Sequence, residues 1–213
     1  MRSRMKTTLA LLLVIPIAGV SARSALAQAA QQPGASSSAQ VSDDDKPRPF
    51  EVDGGYAYMR TNQPPGSCGC FGMQGGNGSV GWTVKDSSYT VVGDVAFLHA
   101  GTIASTGYNL NILAITGGVR YRLPVKKRDV QPFAQALVGI AHASGTGAQT
   151  PNPAAGNAGA ALALTAGGGL ELPVSPRFTV RLFEADYLLT TFDNGSNNKQ
   201  NNLRFSFGAV FHF

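Results

Sequence analysis

The last twelve residues of the chain, 202–213, alternate between apolar side chains and polar or small ones. The apolar positions are Leu203, Phe205, Phe207, Ala209, Phe211 and Phe213. Successive side chains of a β-strand point to opposite faces, so this segment predicts a strand with one apolar face. In water such an edge strand invites aggregation, whereas a strand between lipid and a polar lumen needs this alternation. The chain end therefore favours a membrane-spanning barrel.

Seven earlier segments show the same alternation and predict seven further strands. They cover residues 50–60, 77–85, 89–99, 110–122, 131–143, 159–172 and 177–192. Lengths of about ten residues or more suit tilted membrane strands. In the seventh segment the alternation shifts, because Arg181 is polar at an odd position whereas Glu184 and Asp186 are polar at even positions. A β-bulge near Leu182 and Phe183 would turn all three polar side chains inward.

The predicted connectors alternate between long and short along the chain. Residues 86–88, 124–129 and 174–177 form short turns, whereas 61–76, 101–109, 144–157 and 193–201 are longer and rich in Gly, Asn, Ser and Thr. This alternation is typical of outer-membrane barrels, with short periplasmic turns and long external loops. An even number of strands also closes without an edge. We therefore predict an all-β fold, an eight-stranded antiparallel up-and-down transmembrane barrel.

Residues 50–213 resemble the OmpA-like eight-stranded outer-membrane barrels. Three pieces resemble a subfamily common in soil bacteria: Cys68-Gly-Cys-Phe-Gly-Met73, Asp186-Tyr-Leu-Leu-Thr190 and Asn201-Asn-Leu-Arg204. The terminal phenylalanine resembles the signal by which such barrels are recognised for insertion. The resemblance implies a Gram-negative outer membrane, the barrel-assembly machinery as a partner, and an assembly signal at Phe205, Phe207, Phe211 and Phe213. It implies a fold more than an activity.

The N-terminus predicts a signal peptide over residues 1–27. Basic Arg2, Arg4 and Lys6 precede an apolar run over residues 7–20, and Ala25-Leu-Ala27 supplies small residues for cleavage near Ala27. The alternative, an uncleaved anchor, would need a longer apolar core. Residues 28–49 are rich in Ala, Ser, Gln and Pro and predict a disordered periplasmic leader. The barrel is then expected over residues 50–213.

The net charge of +5 does not point to nucleic acid. Four of the seventeen basic residues lie in the predicted signal peptide, which leaves thirteen against twelve acidic residues in the mature chain. No basic stripe remains, so we expect no nucleic-acid partner.

The face opposite the aromatic residues carries a predicted lumen charge network. Its members are Asp94, Arg120, Gln135, Glu171, Arg181, Glu184, Asp186 and Arg204. A soluble lipocalin-like barrel would place apolar side chains there, so the charges favour the membrane barrel. The interior of an eight-stranded barrel is just wide enough for side chains to fill. The network is therefore either a salt-bridged plug, which we favour, or a path for protons or ions.

Cys68 and Cys70 are the two cysteines, and export places them in an oxidising compartment. They predict either a loop disulfide, with Gly69 relaxing the backbone between them, or two thiols. A strained disulfide would be easily reduced, which leaves a redox role open. A metal site would need more ligands than the first loop offers, so no metal is expected.

His142 and Ser144 resemble the His and Ser of lipid A deacylases, which are barrels of this size with the two residues also two apart. A His activates a Ser hydroxyl, but it usually needs an acid to orient it, and none is evident nearby. We expect polar interface residues here and predict no catalytic or cofactor-binding residues.

The sequence thus predicts a non-enzymatic outer-membrane barrel with a salt-bridged, largely closed lumen. Its expected role is structural integrity or surface interaction through four extracellular loops. The expected partners are outer-membrane lipids, lipopolysaccharide and the assembly machinery, and the expected state is a monomer without cofactors. A narrow porin-like pore and a lipid A-modifying enzyme are the alternatives. No ligand is identified by the sequence.

Overall fold

A computed structural model of the protein describes residues 48–62, 70–103, 108–125, 130–145, 159–192 and 198–213. Eight antiparallel strands follow in order around a closed barrel, and β8 pairs with β1. The strands are β1 (Phe50–Asn62), β2 (Cys70–Thr83), β3 (Tyr89–Ile103), β4 (Tyr108–Arg122), β5 (Gln131–Ser144), β6 (Ala160–Ser175), β7 (Phe178–Thr190) and β8 (Gln200–His212). The predicted fold class is confirmed.

Two ends of the barrel are named by what they hold. The termini end holds residue 48, Phe213 and the β2–β3, β4–β5 and β6–β7 connections; the loop end holds the other four connections. The predicted signal peptide, 1–27, and leader residues 28–47 lie outside the described residues. The carbonyl of Pro49, predicted as leader, accepts a hydrogen bond of 2.7 Å from the Thr83 amide, so pairing begins just before β1. Among the described residues, no helix is long and apolar enough to cross a membrane.

Most strands extend further towards the loop end than predicted, whereas β6 and β7 stop one and two residues short of the prediction there. β2 begins at Cys70 instead of residue 77, so the predicted loop 61–76 was too long. The alternation here is carried by buried Phe71 and Met73 and was hidden by the glycines that follow. β3 and β4 likewise extend to leave residues 104–107 as their connector, in place of the predicted 101–109. That connector is shorter than the β4–β5 connection at the termini end, so the expected alternation of long and short fails at this point.

The two faces of the sheet differ as the strand alternation predicted. Apolar side chains cover the outside, and Phe207 and Ile140 there are 58% and 57% exposed. Aromatic pairs lie on the outside at the termini end, with ring centroids 4.9 Å apart for Tyr89 and Tyr121 and 5.1 Å apart for Phe178 and Phe211. Such an apolar outer surface is stable in contact with lipid acyl chains and unfavourable in contact with water.

The predicted bulge in β7 is confirmed. Phe183 pairs with Leu170 and Arg181 with Glu171, so Leu182 has no partner position in β6. Leu182 and Phe183 both point outward and are 45% and 48% exposed. The extra residue restores the inward direction on both sides of the bulge.

Close strand approach requires glycine at some inward positions of the barrel wall. A Cβ on Gly139 would lie 2.0 Å from the carbonyl oxygen of Ile115, and one on Gly75 would lie 1.9 Å from that of Phe97. No side chain fits at such distances without moving the neighbouring strand. These glycines therefore let the small barrel bend tightly.

Candidate functional site in the barrel lumen

The lumen contains two stacked layers of side chains, one charged and one apolar. Inward-facing positions of β1, β3, β4, β6, β7 and β8 supply the charged layer in the half of the barrel nearer the termini end. Its charged members are Glu51, Asp53, Asp94, Arg120, Arg122, Glu171, Arg181, Glu184, Asp186 and Arg204. Nine of them are buried and Arg122 is nearly so, so each must be paired to be tolerated.

The part of the charged layer nearest the termini end is a chain of alternating charges. Glu51 accepts hydrogen bonds from Arg120 Nη1 at 3.0 Å and from Arg122 Nη2 at 2.7 Å. Glu171 accepts from Arg122 Nε at 3.1 Å and from Arg181 Nη2 at 2.8 Å. Strands β1, β4, β6 and β7 are thus tied together across the lumen, in addition to the backbone bonds around its wall.

The middle of the charged layer centres on Asp53 and Arg181. Asp53 Oδ2 lies 3.0 Å from Arg181 Nη2 and 3.4 Å from Arg120 Nη1, and it also accepts a hydrogen bond from Ser79. Both guanidiniums also lie over the ring of Phe133, whose centroid is 5.0 Å from each Cζ. This stacking holds both guanidinium planes while their edges reach the carboxylates.

The part of the charged layer nearest the apolar layer centres on Arg204. Its guanidinium donates to Asp94 at 2.9 Å and to Asp186 at 2.7 Å, and it reaches Glu184 at 3.4 Å. Gln135 Nε2 donates to Glu184 at 3.0 Å and to Asp186 at 3.1 Å. The described charged layer holds six carboxylates and four guanidiniums, so cations are the scarcer partner in it.

All eight predicted members of the lumen charge network lie together in this layer. Sequence reasoning missed three further members: Glu51, Asp53 and Arg122. The strand alternation already placed them on the inward face, so that signal was sufficient to find them. Which carboxylate meets which guanidinium was not predictable, because partners such as Arg120 and Glu51 lie on strands that are not neighbours.

An apolar layer, which the sequence analysis did not predict, fills the lumen towards the loop end. It comprises Ala57, Met59, Phe71, Met73, Leu98, Ala100, Ile103, Ile112, Ala114, Ala141, Ala163 and Leu188. Met59, Met73 and Leu98 have no exposed surface. At the loop-end edge of this layer, Asn202 donates to the carbonyl of Leu188 at 3.0 Å and also bonds the side chain of Thr61. The lumen is therefore filled by apolar packing as well as by ion pairs.

A small cavity lies between the charged layer and the wall where β1 meets β8. Asp53, Asn77, Arg181 and Ser206 contribute polar atoms to its lining. Asn77 Oδ1 and Ser206 Oγ are buried there without a hydrogen-bond partner. A site with two such atoms suits a single water molecule.

The His142–Ser144 pair lies outside the lumen, at the loop end of β5. Both side chains are exposed on the outer face. Every described Asp and Glu except Asp86 points into the lumen, and Asp86 lies in the turn at the termini end. Within the described part of the chain, no acid is therefore placed to orient His142.

Cys70 is the first residue of β2 and is exposed, so its predicted position in a loop was wrong. The extension of β2 towards the loop end accounts for the difference. Cys68 lies outside the described residues, and the predicted disulfide stays a prediction. Among the described residues, no three His, Cys, Asp or Glu side chains are grouped to bind a metal ion.

Comparison with known proteins identifies a family and several similar folds. The family described as "Outer membrane protein beta-barrel domain" matches residues 12–213. The structure of Ail, the attachment invasion locus protein of Yersinia pestis, is 19% identical with a TM-score of 0.52, over 78% of this chain and 99% of that one. Neisserial surface protein A is 17% identical with a TM-score of 0.56, over 77% and 97%. No curated protein matches significantly.

Proposed function

The chain belongs to the outer-membrane β-barrel domain family, and on this premise we propose that it is a non-enzymatic barrel with a closed lumen. It strengthens the outer membrane and presents its loop end to the outside. In barrels of this kind the short turns lie in the periplasm and the longer loops outside. The termini end, where the β2–β3 and β6–β7 connections are short, is then periplasmic.

The two-layer filling of the lumen carries this proposal. A solute entering from the termini end meets buried ion pairs such as Arg204–Asp186 at 2.7 Å. Beyond them it meets Met59, Met73 and Leu98, which are fully buried against one another. Passage would require separating buried charges and then opening a packed apolar layer, and both steps are costly.

Surface interaction is the second part of the proposal. Ail is named for attachment and invasion, and the neisserial protein is named as a surface protein. At these identities the similarity supports the fold, and the surface role of this chain is our proposal. The exposed loop end, rather than the lumen, is the part of the barrel available to a partner outside the cell.

The two alternatives are less well supported. A narrow pore needs a path through both layers of the lumen. A lipid A-modifying enzyme needs an acid beside His142, and the described carboxylates lie inside the barrel or at the termini end. We further propose that the protein is a monomer, because the barrel closes on itself and leaves no strand edge to pair.

Planar-bilayer recording tests the closed lumen. We expect no stable open conductance from purified wild-type protein that shows the heat-modifiable gel migration of a folded barrel. The positive control is a variant carrying Arg181→Ala, Met59→Ala and Met73→Ala. These substitutions remove side-chain volume from both layers, so this variant should conduct. A stable open conductance of the wild-type protein would overturn the proposal.

A further inference from the structure

A row of polar side chains crosses the outer face of four adjacent strands near the loop end. Gln74 of β2 pairs with His99 of β3, His99 with Asn111 of β4, and Asn111 with Ser144 of β5. Gln74, His99 and Ser144 are exposed, and Asn111 is partly exposed. His99 Nδ1 and Asn111 Oδ1 are hydrogen-bonded at 2.6 Å, and Gln74 Oε1 accepts a bond of 3.2 Å from the Tyr56 hydroxyl.

The row marks the edge of the apolar outer surface on the side of the loop end. The next outward-facing residues towards the middle of the barrel include Phe97 in β3 and Leu113 in β4, and in β5 Ile140 follows His142. Polar side chains are costly at the depth of the acyl chains. The row therefore lies at the level of the lipid headgroups, with its polar atoms pointing at them.

The row has a cationic neighbour on the outer face and, among the described residues, no carboxylate beside it. Arg60 of β1 extends it on one side, two residues beyond Tyr58, which pairs with Gln74. We call Arg60, Gln74, His99, Asn111, His142 and Ser144 the outer polar patch. All six described carboxylates of the barrel wall are turned into the lumen, and Asp86 lies at the termini end. The patch therefore offers a guanidinium, two imidazoles, amides and a hydroxyl without a described carboxylate to repel an anion.

We propose that the outer polar patch binds the phosphorylated sugar headgroup of a glycolipid of the outer leaflet. A guanidinium pairs with phosphate through charge-assisted hydrogen bonds. Amide, imidazole and hydroxyl groups supply the donors and acceptors that sugar hydroxyls need. His142 and Ser144 then act as headgroup contacts rather than as a catalytic pair. This site is independent of whether the lumen conducts.

The histidines of the wild-type protein provide the first test. The chain has three histidines, and His212 lies at the termini end, away from His99 and His142. Modification by diethyl pyrocarbonate is measured by mass spectrometry in phosphatidylcholine vesicles with and without lipid A. We expect lipid A to slow modification of His99 and His142 and to leave His212 unchanged. Equal rates at all three histidines with and without lipid A would overturn the proposal.

Two further arms of the same experiment identify the chemistry recognised. Inorganic phosphate added to phosphatidylcholine vesicles should give no protection, because the site needs a headgroup held at the membrane surface. Phosphatidylglycerol vesicles present anionic phosphate without sugar and should protect less than lipid A. Equal protection by phosphatidylglycerol would contradict the preference for a sugar headgroup.

Variants with matched controls provide the second test. Arg60→Gln, and separately His99→Leu with Asn111→Leu, should weaken lipid A binding by about tenfold or more, as expected when a hydrogen bond to a charged group is lost. Arg177→Gln, in the turn at the termini end, and Asn201→Leu, on the outer face of β8, are the controls. Bound lipid A is counted by native mass spectrometry on protein with heat-modifiable migration. Unchanged binding in the patch variants, or equal losses in the controls, contradicts the site.

Discussion

Arg181 and Glu184 form an ion pair of 2.8 Å although they are three residues apart in one strand. In a regular strand, residues three apart point to opposite faces. The extra residue at Leu182 turns both side chains into the lumen, where Arg181 also reaches Asp53 and Glu171. The bulge thus determines the composition of the charged layer.

Deletion of Leu182 should prevent folding. Without the extra residue, either Arg181 or the pair Glu184 and Asp186 must face lipid, and charge on the lipid face costs several kcal/mol. We expect no heat-modifiable band after refolding in detergent. Leu182→Ala keeps the bulge and removes only an exposed side chain, so this variant should fold; an equal failure of both variants would show that the side chain matters instead.

Arg204→Met should be strongly destabilising. It leaves Asp94, Glu184 and Asp186 in the lumen without their shared guanidinium, and breaking a buried pair in this way costs about 3–5 kcal/mol. Urea unfolding in lipid vesicles, followed by tryptophan fluorescence, measures the free energy of unfolding. Asp94→Asn is the control and should cost less, because carboxylates outnumber guanidiniums in this layer. A larger loss for Asp94→Asn would contradict that charge balance.

Gly139→Ala should destabilise the barrel by about 1–3 kcal/mol or more, the range of overpacking in a close-packed interior. The added Cβ would lie 2.0 Å from the carbonyl oxygen of Ile115 in the neighbouring strand. Gly93→Ala is the matched control, since its Cβ would meet only Val80 at 3.8 Å. The same urea unfolding compares both variants, and equal stability would show that the wall relaxes around the new methyl group.

A charged residue added after Phe213 should reduce outer-membrane insertion more than it reduces the stability of a folded barrel. The amide of Phe213 donates to the carbonyl of Phe50 at 2.8 Å, and the residue is 67% exposed, so little packing depends on its side chain. Cell fractionation measures the level in the outer membrane, and unfolding of refolded protein measures stability. An added neutral Ser is the control. Normal membrane levels of the charged variant would contradict an assembly signal at the chain end.

Two motifs that the sequence analysis singled out separately turn out to lie opposite each other. Residues 186–190 of β7 pair with residues 200–204 of β8, from Asp186 with Arg204 to Thr190 with Gln200. On the outer face of the same pairing, the Tyr187 hydroxyl donates to Asn201 at 2.5 Å. The motifs therefore belong to one strand pair, which local sequence could not reveal because the register is set by the whole barrel.

The period-two alternation by itself determined the eight strands, the inward and outward faces and the bulge near Leu182, because the direction of each side chain depends only on its own strand. The inward directions of Glu51, Asp53 and Arg122 follow from the same rule. Only the tertiary structure decided that Arg120 meets Glu51 across the lumen and that an apolar layer around Met59 and Met73 lies above the charges. The Arg120–Glu51 contact joins strands that are not neighbours, and the apolar layer collects side chains from all around the barrel wall. They depend on strand tilt and on closure of the barrel, which no single strand encodes.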